Sequence, residues 1–124
     1  AVVAASQTTT STSYNDLATS GPTVTVTVSS SGKALVTLTA YESITGADNS
    51  CFMGFAVSGV TTVAASDTQS VQIYSESGTV QSRGSASYLV TGLNPGINTF
   101  TAKYKSSAGI TCTFANRSII VTPY

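Results

Sequence analysis

Few residues of this sequence could carry out acid–base or nucleophilic chemistry. There is no histidine among its 124 residues, which removes the commonest general base and the commonest metal ligand. A serine nucleophile would then need a base such as lysine. However, Lys33, Lys103 and Lys105 lie in alternating, strand-like segments, where exposure to solvent explains them. The sequence therefore predicts no catalytic residues and no enzyme.

The five carboxylates could in principle supply the acid–base pair of a glycoside hydrolase. They are scattered one to a segment, mostly in predicted loops, so we expect all of them to be surface charges: Asp16, Glu42, Asp48, Asp67 and Glu76. Asp48 and Asn49 share a loop that could offer oxygen ligands to calcium, but the regular ligand spacing of a calcium loop is absent. Neither a metal ion nor another cofactor is predicted.

Cys51 and Cys112 are the only cysteines and lie 61 residues apart in two strand-like segments. Low charge and a threonine-rich surface are typical of extracellular or virion proteins, where disulfides persist, so we predict that the two are bonded. Such a bond would contribute about 4 kcal/mol in the chain-entropy model. The alternative is a pair of buried free thiols. A zinc site is not expected, because two isolated cysteines without histidine lack the ligands.

The composition excludes several kinds of partner. Only 8% of the residues are charged, and five basic side chains balance five acidic ones. Nucleic-acid binding and polybasic membrane docking both need clustered lysine and arginine, so neither is expected. No apolar run approaches the roughly 20 residues of a membrane helix, so membrane insertion is not expected either. Because the chain begins with Ala1 rather than methionine, we expect a processed product or a fragment.

The elements that position these residues are predicted to be strands. Valine and threonine alternate over residues 23–29, and residues 33–41 carry apolar side chains on both faces, as in a covered central strand. A turn at residues 93–96 leads into a run whose inward set should be Asn98, Phe100, Ala102 and Tyr104. Further strands are predicted over residues 51–58, 60–65, 69–74, 86–90 and 110–121, with loops over 44–50 and 75–84. This pattern predicts an all-β protein, an antiparallel β-sandwich of jelly-roll-like form.

The chain is predicted to divide into an N-terminal segment and one domain. Residues 1–12 begin with a short apolar patch and continue as a serine- and threonine-rich tract. They could form an edge strand, an arm that packs on a neighbouring subunit, or a loosely held terminus. Residues 13–124 are predicted to form a single β-sandwich domain.

The aromatic residues divide into a predicted core set and a predicted surface set. The core set lies in apolar alternation: Phe52, Phe55, Phe100, Tyr104 and Phe114. Tyr14, Tyr74 and Tyr124 lie at segment ends and are candidates for contact with a glycan or with another subunit, where tyrosine is favoured.

Three stretches of the sequence resemble a family of β-rich domains. They are residues 13–22 (SYNDLATSGP) with the Val/Thr strand that follows, residues 52–67 (FMGFAVSG continuing to Asp67), and residues 92–104 with 114–121 (FANRSIIV). Together they are similar to domains of bacteriophage virion proteins, in particular minor tail, fibre and decoration proteins of phages infecting actinobacteria. The resemblance implies a jelly-roll-like sandwich, often trimeric, displayed on the virion surface and without catalytic residues. The two cysteines are not part of the family pattern.

These observations predict a non-enzymatic structural protein of a phage virion surface, serving as a decoration, tail or fibre domain. The expected partners are further copies of itself, with a trimer implied by the resemblance, other virion proteins, and a glycan of the host surface. The expected location is the virion surface or the extracellular space. Two alternatives stay open: a secreted filament subunit that donates residues 1–12 as a strand to its neighbour, and a carbohydrate-binding module of a larger enzyme.

Overall fold

A computed structural model describes all 124 residues and contains nine strands and one 3₁₀-helix. The strands are β1 (Val2–Val3), β2 (Gln7–Thr9), β3 (Thr23–Val28), β4 (Ala34–Thr45), β5 (Asn49–Gly59), β6 (Val71–Ser75), β7 (Thr79–Val90), β8 (Gly96–Ser106) and β9 (Cys112–Pro123). The 3₁₀-helix covers Asp67–Gln69. No helix is long and apolar enough to cross a lipid bilayer.

The strands form two antiparallel sheets that pack face to face, which confirms the predicted β-sandwich. In sheet 1, β1 and β2 both pair with one side of β9, and the order continues through β4 to β7. Sheet 2 has the order β3–β8–β5–β6. If β1 and β2 are taken as two halves of one interrupted edge strand, each sheet has four strands. Apart from the β5–β6 pair, successive strands then alternate between the sheets, as in a jelly roll.

The core lies between the two sheets and follows the two-residue period of the strands. On β8, the side chains of Asn98, Phe100, Ala102 and Tyr104 are all buried, as the alternation predicts. Phe100 packs against Phe55 of β5, with ring centroids 6.0 Å apart. Of the five aromatic residues predicted for the core, four are buried between the sheets, whereas Phe52 is buried on the outer face of sheet 2, beneath Lys105.

The predicted disulfide is present and joins the two sheets. Cys51 of β5 and Cys112 of β9 are bonded, with Cα atoms 5.7 Å apart, and both residues are inaccessible to solvent. Because β5 belongs to sheet 2 and β9 to sheet 1, the bond fixes the two layers at one end of the sandwich.

Some strand boundaries differ from the prediction. Residues 60–65 do not form a strand, and only a single bridge joins Val63 to Val57. Strand β7 covers residues 79–84, which were predicted as loop. Their polar composition is explained by the edge position of β7, which leaves even the inward-facing Ser82 exposed. An edge strand covered in this incomplete way has little hydrophobic alternation to detect.

The first 22 residues lie along the edges of both sheets. In sheet 1, Val2 is opposite Ser118 and Gln7 is opposite Phe114, so β1 and β2 occupy the edge beside β9 of the same chain. The chain then crosses to sheet 2, where Asn15 exchanges two backbone hydrogen bonds of 3.0 Å with Tyr104.

Candidate functional site

The three tyrosines predicted as contact residues do not form one site. Tyr74 and Tyr124 are both about half exposed but lie at opposite ends of the sandwich. The Tyr74 hydroxyl donates a hydrogen bond of 2.5 Å to Asp48 in the β4–β5 loop, and this bond raises the pKa of Tyr74. The backbone oxygen of Tyr124 accepts hydrogen bonds from the hydroxyls of Ser29 and Ser31, near the start of β4.

Tyr14 is only partly exposed, because its ring lies across the outer face of sheet 2. A Cβ atom added to Gly54 of β5 would come within 3.1 Å of the Tyr14 ring. The Tyr14 hydroxyl donates a hydrogen bond of 2.9 Å to Asp67, and burial is the main cause that raises the pKa of Tyr14. The ammonium group of Lys105 lies 5.1 Å from the centre of the Tyr14 ring and 4.6 Å from that of Phe52. We call these five residues the Tyr14 cluster.

The charged side chains on this outer face are paired with one another. Lys105 lies 2.6 Å from Asp67, and its hydrogen bond lowers the pKa of that carboxyl group. Lys103 forms a second salt bridge of 2.8 Å with Asp16. Because Tyr14 and Asp16 flank the backbone pairing of Asn15, the cluster and the salt bridge hold residues 13–16 against sheet 2.

Arg117 of β9 is completely buried and anchors the N-terminal residues from inside the sandwich. Its Nη2 atom donates a hydrogen bond of 2.9 Å to the side chain of Gln7, and Nη1 donates to the carbonyl oxygens of Thr19 and Gly21 at 3.4 and 3.3 Å. The guanidinium carbon lies 5.1 Å from the centre of the Tyr104 ring. The Tyr104 hydroxyl also donates to Gly21, at 2.8 Å. One buried side chain therefore connects β9 to both ends of the segment from residue 7 to residue 21.

The inward orientation of Arg117 results from a β-bulge. Asn116 and Arg117 of β9 together oppose the single residue Ala40 of β4, where the register shifts. Asn116 has a φ of 48°, the left-handed conformation that asparagine tolerates better than most residues. Without the bulge, the period of two would not place Arg117 on the same face as Phe114. Sequence alternation alone gave no signal for this buried arginine.

The prediction that all five carboxylates are surface charges is wrong for Glu42. Its residue is 1% exposed because Glu42 follows Leu38 and Ala40 on the inner face of β4. Its Oε1 atom has no hydrogen-bond partner, and burial raises its pKa to about 8. At neutral pH the carboxyl group is therefore mostly protonated in the folded protein. The alternation of β4 was the signal that could have identified it.

The outer face of sheet 1 carries paired hydroxyl groups, as sheet 2 does between β3 and β8, but it has no salt bridge. Facing hydroxyls pair across β4 and β7 at Thr37–Ser87, Thr39–Ser85 and Thr45–Thr79, with distances of 2.7, 3.0 and 2.8 Å. On sheet 2, residues 13–16 pair with the edge strand position beside β8, and the Tyr14 ring extends from there over the outer face. The outer face of sheet 1 is nearly uncharged and open by comparison.

No pocket opens on the protein, and no group of three or more cysteine, aspartate or glutamate side chains lies close enough together to hold a metal ion. The sequence matches no protein-family model, and comparison with curated proteins gives no significant match.

Proposed function

We propose that this chain is a non-enzymatic structural protein of a bacteriophage virion surface, acting as a self-associating decoration, tail or fibre domain. The observation that carries the proposal is the way in which the stretches resembling phage virion domains meet in the fold. Residues 13–22 contact residues 52–67 through Tyr14, Gly54 and Asp67.

The same first stretch meets the third stretch inside the sandwich. Gly21 accepts hydrogen bonds from Tyr104 and Arg117, which belong to residues 92–104 and 114–121. Stretches that are far apart in sequence thus supply the partners of two contact clusters. Because the matching stretches contact one another in the fold, these contacts support the resemblance.

The physical demands on a virion surface protein also agree with this proposal. Such a protein must stay folded outside the cell, and a disulfide between the two sheets contributes about 4 kcal/mol toward that. It must also assemble with other copies, and the open face of sheet 1 is available for contact. Contact with a host-surface glycan would involve one candidate tyrosine at a time, because Tyr14, Tyr74 and Tyr124 lie in three separate places.

Mass spectrometry of purified particles tests the proposal. Phage particles from a lysate of the cells that produce this chain would be banded by density, and its peptides would be quantified in the particle, secreted and cellular fractions. We expect the peptides to follow the major capsid and tail proteins through the gradient. Recovery in the cellular or secreted fraction alone would contradict a virion location and favour a secreted filament subunit.

A further inference from the structure

A diagonal stripe of apolar side chains crosses the outer face of sheet 1. Leu35 of β4 is directly opposite Leu89 of β7, and both point outward. Ile120 of β9 lies one outward row away, opposite Thr37, and Val2 of β1 lies one further row away, opposite Ser118. Side chains opposite each other in an antiparallel pair point to the same side. The stripe therefore runs over all four strand positions of the sheet.

The stripe is exposed to solvent in the isolated chain. Val2 is 68%, Ile120 59% and Leu89 55% exposed, and Leu35 is partly exposed. These three are among the eight exposed large hydrophobic residues of the protein, and they share one face. A contiguous exposed apolar patch rimmed by polar residues is typical of an interaction site.

We infer that this face pairs with the same face of a second copy of the chain. The inference rests on the self-association in the proposed function and names the surface responsible for it. A two-fold contact places a patch against itself, so a patch with several like charges would repel its copy. The outer face of sheet 1 has few charges, because Arg83 is the only charged side chain that its strands direct outward and Lys33, directly before β4, lies at the end of the face beside Leu35.

The position of Arg83 is compatible with such pairing. It lies six residues from Leu89 along β7, which corresponds to about 20 Å in an extended strand. Its guanidinium is directed toward β9, where Nη2 lies 3.4 Å from the carbonyl oxygen of Asn116. Asn116 is two residues from Ser118, which is opposite Val2. Arg83 therefore lies beside the Val2 end of the stripe and not at its centre between Leu35 and Ile120.

The area of the face suits a stable contact. Strands β4, β7 and β9 each contain 12 residues, so the face is about 40 Å long and, with four strand positions, about 19 Å wide. Roughly 750 Å² per copy is close to the ~800 Å² that each partner buries in a standard interface. Two twisted sheets can align at about 30° to each other, as the layers of a sandwich do.

The outer face of sheet 2 provides a matched comparison. Ile97 of β8 is 61% exposed there, as much as any stripe residue except Val2. That face, however, carries two salt bridges and is partly covered by residues 13–16. A substitution at Ile97 therefore removes a similar side chain without touching the proposed interface.

Sedimentation velocity over micromolar to millimolar concentrations of the full chain tests the inference. We expect the original chain to form a reversible dimer, and we expect the Ile97→Ser variant to form the same dimer with the same affinity. The double variant Leu89→Ser/Ile120→Ser should weaken dimerisation about 10,000-fold, because a two-fold contact loses four aliphatic side chains, two from each copy, and each contributes roughly a tenfold factor. A second variant, Ser87→Lys, should weaken it as well by placing like charges near the two-fold axis. Unchanged circular dichroism spectra and melting temperatures would show that the variants are folded.

Three results would overturn the inference. An oligomer that is weakened by Ile97→Ser but not by the double variant would place the interface elsewhere and leave the proposed function standing. A trimer that forms equally well in the double variant would also place the interface elsewhere and leave the proposed function standing. A chain that stays monomeric at every concentration would remove both the interface and the self-association, while the particle measurement would still decide the virion location.

Discussion

Replacing Glu42 by glutamine should remove most of the pH dependence of stability between about pH 5 and pH 8. The Glu42 carboxyl group lies in the core without a partner for Oε1, close to Gly84 of β7 and to none of the charged side chains of the protein. Ionisation there would place an unpaired negative charge among apolar groups, which is strongly unfavourable. Glutamine has nearly the same shape and cannot ionise.

The sign and size of the effect follow from the pKa of Glu42 in the two states. The pKa is 4.5 for the ordinary group and about 8 in the folded protein, because burial disfavours the charge. Between these values the folded state holds one more proton than the unfolded state. The stabilising contribution is therefore complete below pH 4.5 and is lost as the pH rises through 8. The free energy of unfolding therefore falls by about 1.4 kcal/mol per pH unit, or by about 3 kcal/mol in total between roughly pH 5 and pH 7.5.

Urea denaturation at a series of pH values, with the disulfide intact, measures this slope directly. No histidine is present, and the lowered pKa of Asp67 acts below its ordinary value of 3.8, outside this window. Glu76→Gln, at an exposed carboxylate, is the matched control and should keep the slope of the original protein. A flat profile for the original protein, or an unchanged slope in Glu42→Gln, would refute the reasoning.

Three further variants test the contacts that hold the sandwich together. Gly54→Ala should lower the free energy of unfolding by about 1–3 kcal/mol, because the new methyl group meets the Tyr14 ring at 3.1 Å. Adding Tyr14→Ala should recover part of this loss, as measured by urea denaturation. If the effects of the two substitutions simply add, the contact is contradicted. Arg117→Met should increase amide hydrogen exchange in residues 7–21 more than elsewhere, because it removes their buried hydrogen-bond donor. An increase in exchange that is the same over the whole chain would contradict an anchoring role. Cys51→Ala/Cys112→Ala should lower the free energy of unfolding by about 2–4 kcal/mol, and an unchanged denaturation midpoint would show that the bond contributes nothing.

Much of the fold could be predicted from the sequence, because central strands keep their alternation. The inward set of β8, from Asn98 to Tyr104, and the pairing of Cys51 with Cys112 are both confirmed. For strand β7, the sequence predicts only the last five of its twelve residues. As an edge strand it buries little on either face, so nothing in its composition distinguishes it from a loop.

The contact clusters were harder to predict, because they depend on tertiary packing. The bulge at Asn116 reverses the side to which Arg117 points, and a rule based on alternation cannot anticipate it. Tyr14 was expected at the surface, but the absence of a side chain at Gly54 leaves room for its ring on sheet 2. Glu42 could have been found, since it occupies an inward position of β4. The scattered positions of the five carboxylates, mostly in predicted loops, favoured the surface for Glu42 as well.

Immunogold electron microscopy of intact phage particles, with antibodies raised against the folded chain, tests the central claim most directly. The proposal predicts gold particles on the outer surface of the capsid, tail or fibres, at repeated positions that reflect several copies. Particles without label, in a sample where the same antibodies label cell-surface filaments, would contradict it.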